Sequence, residues 1–440
     1  MKKVLSTVAA LGLVAGLATT ASAVEFKVSG SYVVDGIYLD SGAGSTTGTL
    51  GGFDLTEGTG EDNSSNSWFM HTFQINPTLK INDKITMNTE IRLADNTVWG
   101  SQLKGDTAQN GSNMGGDIYV HRFAMDYMSP IGKIRIGRAP AGPWGHDFLS
   151  SDIRQDRIMW WPTFLPKPFG ALFLYAKLTD NEYNKAIPTA EDSDRYEARL
   201  MYKTDSVDAA IRYYTHNAST SAGAFDDAAQ HINPYAIVKF DNYFGAFESQ
   251  HKFGSASSTK DYDGMAAMLT LGGKFDALTV SGMYFYASGD NNAADNDVEN
   301  VLGTGGTGTA FSPLYILTGQ TAGLLNNDFW VKQGTTGSYT GAMSQAGVQA
   351  YLVSADYAVS DRLTLHGAVG YAKADEKPTT TLDDEYGWEY NLGAAYKLLD
   401  NLTYEAHFGY LDTGDFFNGA STTDVTNNVY MLTHHLTMTF

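Results

Sequence analysis

The chain has 440 residues, no Cys, and 49 Asp and Glu against 29 Lys and Arg, which gives a formal net charge of −20. The absence of Cys excludes disulfides and thiolate metal sites. The acidic balance argues against nucleic acid as a partner, because no basic face is available to neutralise phosphates.

The first 23 residues are typical of a cleaved secretory leader. Lys2 and Lys3 provide a positive start, a glycine-interrupted apolar run follows, and Ala21-Ser22-Ala23 forms a small-residue cleavage site. The apolar run is too short for a retained membrane helix. We therefore predict a signal peptide over residues 1–23 and a single mature domain over residues 24–440.

Beyond the leader, the sequence consists of long segments in which apolar and polar residues alternate. Very short and rather long connections join these segments by turns. No later apolar run is long enough for a spanning helix, so insertion into a membrane requires strands. The first predicted strands cover residues 25–40, 67–81, 84–99, 117–128 and 133–138. The tight turns are predicted at residues 82–83, 129–132, 165–170, 204–206, 241–242, 276–277, 360–361 and 400–401.

This asymmetry is typical of outer-membrane barrels, which have tight periplasmic turns and longer extracellular loops. Eight tight turns predict a transmembrane antiparallel β-barrel of about 18 strands, and about 16 strands if the turn at residues 165–170 is absent. The longest connection, residues 290–345, is predicted to be an extracellular loop that folds over the mouth or mediates contacts.

Alternation within the segments also predicts which side chains face the lumen. Asn88, Glu90 and Arg92 share one face of the third segment, and Ile91 lies on the other. A face with so many charges cannot be a dry core, since each unpaired buried charge costs several kcal/mol. The charged faces are therefore predicted to line water. A soluble β-sandwich is the alternative, and it predicts shorter strands without aromatic ends.

Two stretches resemble known proteins. The last segment alternates up to a terminal aromatic residue, Phe440, and the segment from Lys133 to Phe164 contains Gly137-Arg138 at the end of a strand, a Trp144-Gly145 bend and a new strand near Asp156-Arg157-Ile158. These features resemble the general diffusion porins of Gram-negative proteobacteria.

The resemblance implies that the third extracellular loop, residues 139–157, folds into the barrel and narrows it. Acidic loop residues would then face basic residues of the wall across the constriction, with Arg138 anchoring the loop. The acidic candidates are Asp147, Asp152 and Asp156, and the wall candidates with inward parity are Arg92, Arg122, Arg135, Arg199 and Arg212. The resemblance further implies a homotrimer in outer-membrane lipid that passes small hydrophilic solutes and ions by diffusion, with no cofactor, metal or catalytic residue.

Other functions remain open from the residues alone. An inward Trp160 or Trp161 with Phe164 would suit a saccharide-specific channel, because aromatic faces stack on sugars. An outer-membrane hydrolase would use an inward histidine such as His366 or His407 as its base, and an adhesin would bind partners through its large loops.

The Gly/Thr run at residues 303–308 has the spacing of a dinucleotide loop without the strand and helix that such a loop needs. The surplus of acid predicts a mild preference for cations.

Overall fold

The computed structural model of the protein describes residues 24–40, 65–99, 118–146, 148–149, 154–180, 192–220, 224–292, 295–301, 311, 313–318, 346–377, 383–418 and 428–440. Over this part of the chain the secondary structure is almost entirely β-strand, with a short 3-10 turn at Asp415–Asn418. No helix in the described ranges is long and apolar enough to cross a membrane.

Eighteen long strands follow one another along the chain. They are β1 (Glu25–Asp40), β2 (Ser65–Lys80), β3 (Ile85–Val98), β4 (Tyr119–Ser129), β5 (Gly132–Ala139), β6 (Gln155–Pro162), β7 (Phe169–Thr179), β8 (Ser193–Lys203), β9 (Val207–Thr220), β10 (Ala224–Phe240), β11 (Tyr243–Ser255), β12 (Asp261–Phe275), β13 (Leu278–Ala287), β14 (Val348–Ala358), β15 (Leu363–Lys373), β16 (Glu385–Leu399), β17 (Leu402–Thr413) and β18 (Val429–Thr439).

The strands form one closed antiparallel barrel. Each pairs with its neighbours in chain order, and β1 also pairs with β18. A two-residue strand, Asp297–Val298, lies parallel to the start of β12 and is not part of the ring. All eight predicted tight turns connect adjacent strands, including the one between β6 and β7, so the prediction of 18 strands is confirmed.

The two ends of the chain are joined at the closing seam. The backbone N–H of Gly30 donates to the carbonyl of Phe440 at 2.9 Å, and the N–H of Phe440 donates back at 3.1 Å. A Cβ atom on Gly30 would lie 2.5 Å from Cζ of the Phe440 ring. The terminal aromatic side chain therefore packs into space that only glycine leaves open.

The distribution of apolar and ionisable side chains is inverted relative to a soluble protein. Large hydrophobic side chains are exposed on the outer face, for example Leu271 at 60% and Leu392 at 65%. Glu197, Arg199 and Arg212 are instead buried on the inner face. This is the arrangement expected when the outer surface meets hydrocarbon and the inner surface meets water or other protein groups.

A bulge in β4 changes the predicted faces of two residues. Alternation alone put Tyr119 outside and Val120 inside, but the pairing with β3 shifts between Glu90 and Ile91. As a result Val120 is 49% exposed on the outer face, whereas the Tyr119 hydroxyl donates to Asp95. A bulge adds one residue to a strand and so reverses the alternation beyond it.

The inner surface is only partly polar, because apolar side chains as well as the charged faces line it. The inner face from β12 to β18 carries apolar side chains such as Met268, Phe285 and Leu352, which pack against residues 311 and 314–317 in one buried cluster. A smaller apolar cluster, built around Met159 and Leu172, covers part of the inner face from β4 to β7.

The seam geometry makes the glycine at position 30 a requirement for assembly. Gly30→Ala places a Cβ 2.5 Å from both the Phe440 ring and the Gln74 carbonyl, and we expect a loss of about 1–3 kcal/mol of stability, as for other overpacked sites. Gly282→Ala is the matched control, because its nearest atom would be 3.9 Å away. Heat-modifiable electrophoretic mobility measures the folded fraction; equal folding of both variants would contradict the proposed contact.

Candidate channel interior

A loop between β5 and β6 runs across the inside of the barrel. We call its described residues, 140–146 and 148–149, the infolded loop. The carboxylate of Glu248 on β11 accepts the backbone N–H groups of His146 and Leu149, both at 2.9 Å. Arg212 on β9 donates to the Leu149 carbonyl at 3.2 Å. The loop therefore reaches the wall at β9 and β11, away from its own strands.

The bend of the infolded loop requires glycine at position 145. Gly145 has a φ of +57°, and a Cβ there would lie 2.4 Å from Oε2 of Glu248. Gly142 also has a positive φ, +85°, but faces open space. Gly145 thus combines a left-handed backbone with a close approach to the carboxylate that holds the loop.

Two arginines near the return strand tie the loop ends to the wall. Arg154 donates to both oxygens of Glu90 on β3, at 3.1 and 3.2 Å. Arg157 donates to the carbonyl of Ala139, the last residue of β5, at 2.9 Å. Arg154 and Arg157 therefore hold the loop ends, whereas Arg138, the predicted anchor, contacts Asp156.

Arg138 and Asp156 lie on the outer face, in contrast to their predicted roles. They pair directly across β5 and β6, their side chains are 43% and 63% exposed, and Arg138 Nη1 lies 3.7 Å from Asp156 Oδ2. Their neighbour Ile158, two residues from Asp156, is exposed on the same outer face. Alternation instead places the buried Arg157, the residue after Asp156, on the inner face. Asp147 and Asp152 lie outside the described residues.

The five predicted wall arginines all lie on the inner face. Arg92 contacts Glu90 at 3.3 Å and also pairs with Asp95. Arg135 donates to Asp126 through Nη2 at 2.7 Å. Arg122 lies opposite Glu90 in the register of β3 and β4. This first group lines β3 to β5.

A second group of cations lines β8 and β9. Arg195 donates to Glu197 at 2.5 Å, and Arg199 also pairs with Glu197. Arg212 lies 4.6 Å from the ring centre of the buried Trp144, in a geometry favourable for a cation–π interaction.

Three guanidinium groups thus surround one carboxylate in a confined space. Among the described residues, Nη2 of Arg199 and Nε of Arg212 have no hydrogen-bond partner. Because a buried donor without a partner is costly, these groups favour the approach of water or an anion.

Another segment enters the lumen from the long connection between β13 and β14. We call residues 311 and 313–318 the plug. Leu314, Ile316 and Leu317 are fully buried, a burial worth about 1.5–3 kcal/mol for each side chain. Glu389 on β16 accepts the backbone N–H groups of Ile316 at 2.8 Å and Leu317 at 2.6 Å.

The plug meets the infolded loop inside the barrel. The rings of Phe148 and Phe311 lie 5.0 Å apart between centroids, and Phe285 on β13 contacts both at 6.0 and 5.2 Å. Part of the predicted 290–345 loop therefore folds into the lumen. The remainder of its tip, including the Gly/Thr run at 303–308, lies outside the described residues.

The structure separates the residues of the predicted sugar platform. Trp160 lies outside and stacks on Phe173, with Phe164 beside it, and Phe164 is 69% exposed. Trp161 lies inside, where Lys133 Nζ is 4.1 Å from its ring centre. The tryptophan beside Phe164 is therefore the outward Trp160.

The two histidines considered as catalytic bases are engaged differently. His366 contacts Asp356 at 2.8 Å, while His407 contacts the Tyr315 hydroxyl of the plug at 2.9 Å. Within the described ranges, no group of three or more His, Asp or Glu side chains is placed to hold a metal ion.

Comparison with models of protein families and with curated proteins gives no match. Solved structures of Gram-negative outer-membrane porins resemble this chain over nearly its whole length. The fold is that of an outer-membrane porin.

Pseudomonas aeruginosa OccK9 (OpdG) has a TM-score of 0.53 at 11% identity, covering 94% of this chain and 99% of that protein. P. aeruginosa OccK8 (OprE) has a TM-score of 0.52 at 13% identity, with coverage of 94% and 98%. The BenF-like porin of Pseudomonas fluorescens Pf-5 has a TM-score of 0.50 at 11% identity, with coverage of 94% and 99%. At these identities the likeness concerns the fold.

The two loop glycines provide a paired test of how the infolded loop is held inside the barrel. Gly142→Ala and Gly145→Ala both place alanine in a left-handed conformation, at a cost of about 1 kcal/mol. Only Gly145→Ala also forces the loop away from Glu248. We expect altered single-channel conductance in planar bilayers for Gly145→Ala and near wild-type conductance for Gly142→Ala. The same conductance in both variants would contradict the tight contact at Glu248.

Proposed function

We propose that this protein is an outer-membrane channel of a Gram-negative bacterium that allows passive diffusion of small hydrophilic solutes, with a preference for anions. The observation that carries the proposal is the inner wall of arginines on β3, β4, β5, β8 and β9. Ionisable groups at this density inside a membrane barrel are stable only beside water or charged partners.

The preference for anions follows from local charge rather than from the whole chain. At the inner wall, Arg92, Arg122, Arg135 and Arg154 are accompanied by Glu90, Asp95 and Asp126, and three more arginines share Glu197. The formal charge of −20 is spread over the entire sequence. Because the Debye length is about 8 Å at physiological salt, distant acidic groups act weakly on an ion in the lumen, so the cation preference predicted from composition is replaced by the opposite one.

The geometry of the infolded loop supports the proposal that residues 139–157 narrow the pore. It crosses the lumen from β5 to β11 and brings Trp144 next to Arg199 and Arg212. We propose that solutes pass between this loop and the basic wall, where a narrow width and fixed charges select by size and charge. Homotrimer formation stays a prediction, which the mass of the detergent-solubilised protein tests.

Three other functions make different predictions for the purified protein. A hydrolase would show turnover of ester or peptide substrates, whereas a channel conducts without turnover. An adhesin would lose binding when residues 291–341 are deleted. A saccharide-specific channel would show block of ion current by added sugar.

The charge of the inner wall gives a direct test of anion preference. Arg92→Gln, Arg122→Gln and Arg135→Gln combined should shift the reversal potential in a salt gradient toward cation selectivity. A unit charge about 8 Å away contributes roughly 0.5 kcal/mol before screening, so we expect the anion-to-cation permeability ratio to fall by about fivefold or more.

Arg138→Gln is the matched control, because this arginine lies on the outer face and its loss should leave the reversal potential unchanged. Absence of conductance from the wild-type protein would overturn the channel function. If the triple variant conducts with an unchanged reversal potential, the proposed role of the basic wall is overturned and the channel function is not affected.

A further inference from the structure

The wall beneath the plug is shaped for it by three glycines on consecutive strands. A Cβ on Gly370 of β15 would lie 2.6 Å from Cδ1 of Leu314, one on Gly393 of β16 would lie 2.8 Å from the Tyr315 hydroxyl, and one on Gly409 of β17 would lie 3.3 Å from Cδ1 of Ile316. Three successive plug residues thus occupy three successive gaps. We call these glycines the cradle.

Glu389 lies at the centre of the cradle. Glu389 pairs directly with Gly370 across β15 and β16, and it is fully buried. Its two oxygens each accept a different plug N–H, from Ile316 and from Leu317. The plug also closes on itself, since the Leu314 N–H donates to the Thr318 hydroxyl at 3.1 Å. The cradle and the carboxylate are therefore matched to one backbone conformation.

We propose that Glu389 is a positioning residue that sets the width of the pore by holding the plug against the β12–β18 wall. This inference rests on the proposed channel function. The plug fills the side of the lumen away from the basic wall, so its position decides how much of the cross-section is left for solutes. The infolded loop has its own clamp, Glu248, on β11.

The amide isostere at position 389 tests the clamp without changing its volume. Glu389→Gln replaces one acceptor oxygen by an NH2 group that faces a backbone N–H, so one of the two bonds is lost. Because the lost bond leaves a buried N–H without a partner, we expect the occupancy of a larger conductance level to rise by about tenfold or more. Solutes larger than the wild-type limit should also enter liposomes containing the variant.

Glu405→Gln is the control, since this inner-face glutamate of β17 contacts His407 at 3.7 Å rather than the plug backbone. It should keep the wild-type conductance and size limit. If Glu389→Gln fails to fold, Gly370→Val gives a second route, because the new side chain occupies the space of Leu314 and should produce the same wide level.

A disulfide provides the decisive rescue, because the chain contains no Cys of its own. Gly409 and Ile316 are close enough for a cross-link: the added Cβ would lie 3.4 Å from Cγ1 of Ile316, compatible with disulfide geometry. In Glu389→Gln combined with Ile316→Cys and Gly409→Cys, oxidation should restore the narrow conductance and reduction should return the wide level.

The outcomes separate this inference from the proposed function. Unchanged conductance and size limit in folded Glu389→Gln, or a wide level that persists after oxidation of the cysteine pair, would overturn the role of Glu389 while leaving the channel intact. A wild-type protein that does not conduct would overturn the proposed function itself.

Discussion

The structure depends on one constraint: inside hydrocarbon, every backbone N–H and C=O must be hydrogen-bonded within the protein. A sheet meets this constraint only if it has no edge, and here the edge is removed by pairing β1 with β18. The last residue takes part directly, since Phe440 exchanges two backbone hydrogen bonds with Gly30.

The same requirement operates inside the barrel, where two segments without ladder partners are buried. Their free N–H groups cannot be left unpaired, because a buried polar group without a partner costs about 1–3 kcal/mol. Glu248 and Glu389 each supply two carboxylate oxygens to two N–H groups of such a segment. The two inner segments are therefore held by wall carboxylates that bind their backbone, and the arginines of β3 to β9 lie on other parts of the inner face.

Sequence alternation predicted faces well wherever the strands are regular. It placed Arg92, Arg122, Arg135, Arg199 and Arg212 correctly on the inner face, and the same rule assigns Arg157 to the lumen and Asp156 to the outside. One error came from using the resemblance to assign roles to individual charged residues, as at Arg138 and Asp156. The other came from a bulge that reverses the alternation at Tyr119 and Val120. A bulge leaves no clear mark in the sequence, because any residue type can occupy it.

The sequence by itself determined the barrel, a strand number of about eighteen and the inner-face position of five arginines, because period-two alternation and tight turns are local properties of the chain. Only the tertiary structure decided which side of the lumen is filled. Glu389 and Leu317 are 72 positions apart, and the glycines that receive the plug lie on three different strands. Contacts of this kind depend on barrel curvature and register, so no local pattern contains them.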